Sequence, residues 1–475
     1  MAEHGGPGGT EATGEDEAAG ERPGAARSHR ARHPVGGAVD DRPLLELAWS
    51  WTWARWLLVA AVLLRYVAVA GLRLYVYVDS GEYDRLDFTG AWRRPWATPL
   101  LYRLVPGDDH RLVVAQALVG ALAWTVLALA AAAWFRVPSV RVVVAAALVA
   151  LGCTTSVTNW DGAKLSESLA LSLTVLVVAA WLNLLRRPTP VTGGLLLLAT
   201  LPWLFVRQSL MPTAWMVAGL AVLGAVVAWR RRGAGGVFAG VAVGLVLLAG
   251  LASLSYGRNQ EVVRENLTVI VANRVAPDAD RLAWFRAHGM PTPASGALDY
   301  TALKGDPAFV RWVGGAGRGT YVRYLLTHPW YTATEPLEDL LATRPSYGDE
   351  VAPQSAMLAP TDAYGSSRPV EPELLAQLLF EPGGTGTVVA ALGATLAWAV
   401  ARRRRRAQAW VVPLGLVGLS LASLLVGWHG ATPELGRLAI VGAVGLRIGL
   451  VLQLGLLVEG ELLARRRTTA GGRPA

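Results

Sequence analysis

Residues 212–256 read PTAWMVAGLAVLGAVVAWRRRGAGGVFAGVAVGLVLLAGLASLSY, and this stretch decides the class of fold. It consists of two long apolar runs on either side of three arginines, Arg230, Arg231 and Arg232. An apolar helix of about 20 residues crosses the hydrocarbon core of a bilayer. Short loops rich in arginine stay on the cytoplasmic side of a membrane. The stretch therefore predicts two membrane-spanning helices that are joined by a cytoplasmic loop.

The same arrangement recurs along the chain, because every second gap between apolar segments contains a cluster of arginines. The five clusters are Arg136 with Arg141, Arg186 with Arg187, Arg230 to Arg232, Arg402 to Arg406, and Arg465 to Arg467. Ten spans with a cytoplasmic N-terminus put all five clusters inside, whereas nine or eleven spans would leave at least one outside. The spans are predicted near residues 54–75, 112–135, 139–157, 166–185, 192–210, 212–230, 237–256, 386–401, 409–428 and 437–458.

The composition agrees with a membrane protein. Hydrophobic residues make up 53% of the 475 positions, and the mean hydropathy is +0.37. The net charge of +9 does not indicate nucleic-acid binding, because the arginines flank apolar spans and form no basic surface. Only Lys164 and Lys304 are lysines among the 44 basic residues, a bias typical of a GC-rich bacterial genome, which predicts a bacterial plasma membrane. Cys153 is the only cysteine, so an intrachain disulfide and a cysteine-based metal site are excluded, and the sequence demands no metal or cofactor.

The sequence predicts an all-α integral membrane protein that is divided into five parts. Residues 1–43 lack apolar periodicity and are expected to form a disordered cytoplasmic tail. Residues 44–256 hold the first seven spans and the outer loops, and residues 257–385 form a large, proline-rich extracytoplasmic insertion. Residues 386–462 hold the last three spans, and residues 463–475 form a second cytoplasmic tail.

One segment of the insertion has a helical apolar spacing. Residues 319–331 carry the aromatic residues Tyr321, Tyr324, Trp330 and Tyr331. Aromatic side chains are enriched where a membrane meets water. The segment is therefore predicted to be an amphipathic helix that lies at the membrane interface.

Candidate catalytic residues lie in the first outside loop, in the sequence DSGEYD at residues 79–84. If this segment is helical, Asp79, Glu82 and Tyr83 fall on one face. A carboxylate at the rim of the membrane can act as a general base that takes a proton from an acceptor hydroxyl as it attacks a sugar. The alternative is structural: Asp79 or Ser80 caps the helix, and Glu82 stabilises its first turn.

Two arginines follow in the same loop, against the rule that places positive charge inside. Guanidinium groups bind phosphate bidentately, so Arg93 and Arg94 are candidates for the phosphate of a lipid-linked donor. Anionic lipid headgroups, or ion pairs with Asp84 and Asp87, are the alternatives.

The second outside loop supplies three more candidate substrate-binding residues. Asp161, Lys164 and Glu167 are spaced by three residues, so a helical start would align them. Glu167 lies at the beginning of the fourth span, where an unpaired carboxylate is costly. The alternative is a helix cap with an ion pair between Asp161 and Lys164.

Three further polar residues lie in or beside the spans. Arg65 and Arg447 fall inside the first and tenth spans, where an arginine should face a polar cavity or a carboxylate, or form a buried structural pair. His429 follows the ninth span, and a lone histidine is more often structural than catalytic.

These motifs resemble those of the C superfamily of membrane glycosyltransferases, which take sugars from polyprenyl-phosphate donors. The resemblance extends over about residues 55–460. It rests on DSGEY at 79–83, a proline-rich stretch ending in PLLY at 99–102, SE at 166–167, YLLTHP at 324–329 and, more weakly, ExxR at 434–437.

The resemblance implies functions for residues within these motifs. It implies a catalytic or acceptor-binding function for Asp79, and it implies substrate contacts for Tyr83, Glu167, His328, Glu434 and Arg437. The second acidic residue that is frequent in the family matches Glu82, Asp84 or Asp161 equally well.

The function implied is that of a polytopic, mannosyltransferase-like enzyme. It would transfer a sugar from a polyprenyl-phosphate donor to an envelope glycan, lipid or protein on the extracytoplasmic side, by a single displacement with inversion. The alternative is a transporter or flippase of lipid-linked substrates. That class requires charges along a path through several spans and is often built from repeated halves, whereas this chain shows only Arg65 and Arg447 within spans and no convincing repeat.

The arginine clusters generate a prediction about topology. A reporter fused after Arg232 should be cytoplasmic, whereas one fused near Gly315 should be exported, because the two sites lie on opposite sides in the ten-span arrangement. Paired phosphatase and fluorescent-protein fusions measure this directly. Finding both sites on one side of the membrane would contradict that arrangement.

Overall fold

The computed structural model describes residues 42–230, 235–258, 260–341, 368–380, 384–401, 407–430 and 435–471. Residues 1–41 of the first predicted tail therefore lie outside the described residues, as do Arg231, Arg232 and the cluster at 402–406. Residues 463–471 of the second predicted tail are described, and they belong to a helix.

The described residues form a helical protein. Its α-helices are α1 Leu44–Ser50, α2 Thr52–Val69, α3 Ala97–Leu104, α4 Asp109–Ala132, α5 Pro138–Gly152, α6 Thr155–Thr158, α7 Glu167–Arg186, α8 Pro190–Leu204, α9 Met211–Arg230, α10 Gly235–Tyr256, α11 Gln260–Ile270, α12 Ala279–Ala287, α13 Tyr300–Gly305, α14 Pro307–Trp312, α15 Arg318–Thr327, α16 Pro329–Leu341, α17 Glu373–Phe380, α18 Gly384–Ala401, α19 Ala407–Gly430 and α20 Leu435–Gly471. Short 3₁₀ helices at Val78–Asp84 and Asn159–Gly162 connect some of them.

The prediction of an all-α multi-pass membrane protein is confirmed, and each of the ten predicted spans contains an apolar helix. Among the described residues, seven helices are long and apolar enough to cross a membrane. They are Thr52–Val69, Asp109–Ala132, Glu167–Arg186, Gln208–Trp229, Gly235–Tyr256, Ala409–Gly430 and Ile440–Arg465. The helices α5 and α6, bent by 51°, make an eighth if they count as one span, and α8 and α18 are shorter. The count of ten spans therefore stays a prediction.

The first span ends earlier than predicted, at Val69 and not near residue 75. The residues after it pair with the second loop instead of continuing the helix. Tyr75 N donates to Gly162 O at 2.6 Å, and Lys164 N donates to Tyr75 O at 3.0 Å, which makes a single parallel bridge between Tyr75 and Ala163. These hydrogen bonds give the backbone partners that a longer helix would otherwise have supplied.

Small residues let the helices pack closely. A Cβ atom added at Gly445 of α20 would lie 2.2 Å from Ser420 Oγ, and one at Gly449 would lie 2.6 Å from a methyl group of Val417. Both partners are on α19, and they run in the opposite order along it, so α19 and α20 are antiparallel. Close approach at small residues is a common means of helix association in membranes.

The bundle has two distinct ends. We call one end the loop face, because it carries the first loop (residues 70–108), the second loop (residues 153–166) and the insertion. At the other end, Trp134 Nε1 donates to Leu182 O at 3.1 Å. There the buried Glu459 accepts hydrogen bonds from the backbone amides of Arg136 and Val137, which precede α5.

The helices α11 to α16 of the insertion have a hydrophobic core of their own. Its buried members are Leu267, Ile270, Val271, Val275, Phe285, Met290, Leu303, Phe309, Trp312, Val313, Tyr321 and Tyr324. The insertion contacts the bundle where Tyr321 Oη donates to His429 O at 3.0 Å and where Arg274 lies over the Trp428 ring.

The segment predicted as one amphipathic helix is two helices, α15 and α16, because Pro329 begins a new one. Tyr321 and Tyr324 pack into the core of the insertion, whereas the side chain of Trp330 is 79% exposed. Only part of the predicted aromatic face is therefore available to an interface.

The chain after residue 367 returns into the bundle. Glu371 Oε1 accepts hydrogen bonds from Thr155 N at 2.8 Å and Thr155 Oγ1 at 2.6 Å, at the start of α6. Arg447 Nε donates to Leu379 O at 2.8 Å, and its guanidinium lies 4.5 Å from the centre of the Phe380 ring. Arg447 thus binds the carbonyl end of α17, where a cation is favourable, and has a structural role there.

The packing of α5 against α4 gives a stability prediction. A Cβ atom at Gly152 would lie 2.4 Å from the buried ring of Trp124, so Gly152→Ala should destabilise the protein by about 1–3 kcal/mol. Gly219 of α9 has nothing within 4 Å of its added Cβ, so Gly219→Ala should be neutral or stabilising by up to about 1 kcal/mol. Thermal unfolding of the detergent-solubilised variants measures both effects, and equal unfolding temperatures would contradict this account.

Candidate functional site

The first and second loops are joined through their backbones at the loop face. Beside the bridge at Tyr75, Ser80 Oγ donates to Lys164 O at 2.9 Å and accepts a hydrogen bond from Tyr77 N at 2.7 Å. Ser80 thus fixes the start of the 3₁₀ helix Val78–Asp84 to the second loop. The predicted helical conformation of the DSGEYD segment is present, in this tighter form.

The 3₁₀ helix presents Asp79 and Glu82 to the two arginines of the same loop. Arg94 Nη2 lies 2.6 Å from Asp79 Oδ2, and Arg94 Nε donates to Glu82 Oε2 at 2.6 Å. Arg93 Nη1 lies 3.2 Å from Glu82 Oε1, and Arg93 Nη2 forms an ion pair with Glu265 Oε2 of α11. We call these five residues the carboxylate–arginine network. Their side chains are 21–32% exposed, so a ligand at the loop face can reach them.

The ion pairs that the sequence suggested for Arg93 and Arg94, with Asp84 and Asp87, are not the ones that form. Asp84 and Asp87 have other partners. Asp84 Oδ1 accepts a hydrogen bond from Lys164 Nζ at 2.6 Å. Asp87 binds its own loop: it accepts hydrogen bonds from Thr89 N at 2.8 Å, Thr89 Oγ1 at 2.7 Å and Trp92 N at 2.8 Å. The hydrogen bond from the Thr89 hydroxyl is the main reason that the pKa of Asp87 is lowered.

The turn at Asp87 positions the two arginines. Gly90 has a φ of 76°, which favours glycine. A Cβ atom on Gly90 would lie 2.0 Å from Ser255 Oγ, so the loop rests directly against the end of α10. Sequence reasoning missed Asp87 as a structural residue, although Asp-x-Thr is a recognisable signal for a side chain that binds the backbone two residues on.

Tyr83 contacts the network from its buried side. Its side chain is 1% exposed, and its hydroxyl donates to Ser166 Oγ at 3.3 Å. The guanidinium of Arg94 lies 5.2 Å from the centre of the Tyr83 ring, within the range of a cation–π interaction. Tyr83 is thus placed to orient Arg94.

Asp161 lies in the interior of the bundle. Arg65 Nε donates to Asp161 Oδ2 at 2.9 Å and Arg65 Nη2 to Oδ1 at 3.0 Å, and Ser168 Oγ also donates to Oδ1 at 2.6 Å. The side chains of Arg65 and Asp161 are 2% and 0% exposed. Asp161 is therefore the carboxylate partner that was expected for Arg65. The alternative ion pair between Asp161 and Lys164 does not form, because Lys164 binds Asp84.

The three predicted residues of the second loop point to different partners. Glu167 is buried at the start of α7 and lies 3.3 Å from Arg207 Nη2, while Lys164 binds Asp84. Residues 163–166 separate the 3₁₀ helix Asn159–Gly162 from α7, so no continuous helix aligns Asp161 with Glu167. Lys164 is the one of the three at the exposed side of the loop.

The remaining candidates from the sequence motifs lie apart from one another in the chain. His328 directly follows α15. Its ring stacks on Tyr324 with centroids 4.1 Å apart, and its Nδ1 lies 3.0 Å from Tyr324 O. Glu434 lies outside the described residues, and Arg437 is in the first turn of α20, with only its backbone described.

Glu265 was not predicted, although it completes the network. Its Oε1 accepts a hydrogen bond from Tyr300 Oη at 3.0 Å and lies 3.7 Å from Lys304 Nζ. Lys304 Nζ also donates a hydrogen bond to Tyr300 Oη at 3.0 Å, and this bond is the main reason that the pKa of Lys304 is raised. Glu265 is 172 residues from Arg93, so no local spacing could have indicated this pair.

Several chemical functions are thus collected at the loop face. The network offers three carboxylates that can accept a proton and two guanidinium groups that can bind phosphate. Within the described ranges, no group of three or more His, Cys, Asp or Glu side chains is arranged to hold a metal ion.

Comparison with known proteins gives a similarity of overall structure. No family model and no curated protein matches the chain. Among solved structures, the chain is similar to the archaeal oligosaccharyltransferase AglB from Archaeoglobus fulgidus in complex with an inhibitory peptide and a dolichol-phosphate, with a TM-score of 0.45 and 11% sequence identity. The similarity covers 89% of this chain and 52% of that chain, so this chain spans about half the length of AglB. At this identity it says nothing about individual residues or substrates.

The buried pair of Arg65 and Asp161 gives a prediction about the support of the site. Asp161→Asn leaves a buried guanidinium without its counter-charge and should destabilise the protein by about 3–5 kcal/mol. The double variant Arg65→Met/Asp161→Leu removes both charges and should recover most of that loss. Thermal unfolding in detergent compares them, and wild-type stability of Asp161→Asn would show that the pair has no such role.

Proposed function

We propose that the protein is a membrane glycosyltransferase that moves a sugar from a polyprenyl-phosphate donor to a glycan, lipid or protein acceptor of the cell envelope. The observation that supports the proposal is the carboxylate–arginine network. It combines groups that can accept a proton with groups that can bind phosphate, in one partly exposed cluster beside the ends of apolar helices. Both capacities are needed to transfer a sugar from a phosphate leaving group.

In the proposed reaction, Asp79 acts as the general base. The acceptor oxygen attacks the anomeric carbon while its proton passes to the Asp79 carboxylate. The bond between the anomeric carbon and the phosphate oxygen breaks, and its electron pair stays on the phosphate. Arg93 and Arg94 stabilise that developing negative charge. Attack opposite the leaving group inverts the configuration of the sugar.

The ion pair between Asp79 and Arg94 has a consequence for this step. Arg94 contacts both Asp79 and Glu82. A donor phosphate that draws Arg94 toward itself would free an oxygen of Asp79 to accept the hydrogen bond of the acceptor hydroxyl.

We place the loop face on the extracytoplasmic side of a bacterial plasma membrane, with both termini in the cytoplasm and residues 257–385 outside. The arginine clusters support this orientation. Large apolar side chains on the flanks of the helices are open, such as Leu247 at 67% and Leu254 at 74% exposure, which suits a surrounding bilayer.

A transporter or flippase gains no support from the charges inside the spans. Arg65 is bound to Asp161, and Arg447 is bound to the carbonyl group of Leu379. Each arginine is held by a partner inside the bundle, so neither of them indicates a path for a substrate through the spans.

The proposal predicts the effect of removing the base. Asp79→Asn keeps the shape of the side chain but not its basicity, so it should lower the transfer rate by about a hundredfold to ten-thousandfold. Glu82→Gln should cause a smaller loss, because Glu82 orients Arg93 and Arg94. The measurement is transfer of label from a polyprenyl-phosphate sugar to envelope acceptors in membranes that contain each variant.

A matched control is Asp109→Asn, which removes an exposed carboxylate at the start of α4. It should retain full transfer, and all variants should insert at the wild-type level. Near-normal transfer by Asp79→Asn would remove Asp79 from the reaction. Analysis of envelope glycans after deletion of the gene identifies the acceptor, and unchanged glycans would count against the proposed function itself.

A further inference from the structure

Glu265 differs from the other carboxylates of the network in the part of the chain to which it belongs. Asp79 and Glu82 belong to the same loop as the arginines, whereas Glu265 reaches the network from α11 of the insertion. Its two oxygens have different partners. Oε2 contacts Arg93, and Oε1 contacts Tyr300 and Lys304.

The contacts of Arg93 are of a kind that another anion can replace. Its Nη1 and Nη2 each contact one oxygen of a different carboxylate, Glu82 or Glu265. Its Nε has no hydrogen-bond partner among the described residues. Guanidinium binds an anion most strongly through two parallel hydrogen bonds to one group. A phosphate can offer that bidentate geometry, which neither carboxylate uses.

Glu265 is also able to give up Arg93 without becoming an unpaired charge. Tyr300 donates to Oε1 at 3.0 Å, and Lys304 Nζ at 3.7 Å is a second cation. Lys304 is 63% exposed and lies on α13, one turn beyond Tyr300, so it can follow the carboxylate over a short distance. The ion pair with Arg93 is partly exposed, and such pairs are weak in water.

We infer that Glu265 is an affinity-determining counter-anion, which occupies Arg93 in the free protein and is exchanged for the phosphate group of the ligand. The inference rests on the proposed function in taking that phosphate to belong to a lipid-linked sugar or to the polyprenyl phosphate that remains after transfer. Glu265 returns to Arg93 when the phosphate leaves. It therefore weakens phosphate binding and favours release of the product.

The test is equilibrium binding to the full-length protein in phosphatidylcholine nanodiscs, with farnesyl phosphate and inorganic phosphate as probes. Glu265→Gln keeps a group that can accept the Tyr300 hydrogen bond but removes the competing charge. It should tighten phosphate binding by about three- to tenfold. Glu261→Gln removes an exposed carboxylate one turn earlier on α11 and should change binding by less than about twofold.

Two further variants separate exchange from a simple structural role. Lys304→Met removes the alternative partner of Glu265, so it should weaken phosphate binding, by about twofold or more. In an Arg93→Gln background, Glu265→Gln should have no effect, because the arginine for which it competes is absent. A residue that only clamps α11 to the loop would give weaker binding in Glu265→Gln, which is the opposite sign.

The outcomes identify the source of the phosphate or overturn the inference. If Glu265→Gln binds only farnesyl phosphate more tightly, the exchanged anion is the phosphate of a lipid. If it binds both probes more tightly, the site accepts phosphate from lipids and from solution alike. Unchanged or weaker binding of both probes by Glu265→Gln overturns the inference. Binding is measured without turnover, so this result is independent of the transfer assay with Asp79→Asn. The inference and the proposed function can therefore fail separately.

Discussion

The ion pair between Arg65 and Asp161 is the interaction on which the loop face depends. An arginine inside an apolar helix needs a partner, and in this chain the partner is on a loop and not on another span. The second loop must therefore enter the bundle. Gln116 of α4 secures it there by donating to Asp161 O at 2.8 Å. Because the loop is fixed at this depth, Tyr75 can pair with Ala163, and Ser80 can bind Lys164 O.

The position of Asp79 is thus set by a chain of contacts that begins inside the membrane. The 3₁₀ helix is held to the second loop, and the arginines are held by the turn at Asp87 and by the contact of Gly90 with α10. Neither loop contributes a long regular element. A site made of loops needs such supports, because its side chains must be held within a fraction of an ångström to act together.

The sequence predicted the helices and four of the five residues of the network, for reasons that are local. Apolar runs identify spans, and Asp79, Glu82, Arg93 and Arg94 lie within sixteen residues of one another in a loop of unusual charge. The pairs that it missed are distant in the chain: Arg65 and Asp161 are 96 residues apart, and Arg93 and Glu265 are 172 apart. Spacing rules apply within one element, so they cannot indicate which charges meet after the helices pack. The early end of α2 was missed for the same reason, because the residues after it form hydrogen bonds with the second loop, which is distant in the chain.

The charge balance of the network limits how it can bind a ligand. Two guanidinium groups already contact three carboxylates, so an anionic ligand replaces an anion and is not added to a bare positive site. The electrostatic gain is then a difference between two similar interactions, and it is small at partly exposed positions. Under the proposed function, most of the affinity for a lipid-linked sugar must then come from its sugar and its apolar chain. In that proposal the site discriminates against simple phosphate ions, which offer charge alone, and the inferred exchange with Glu265 lets the phosphate leave after transfer.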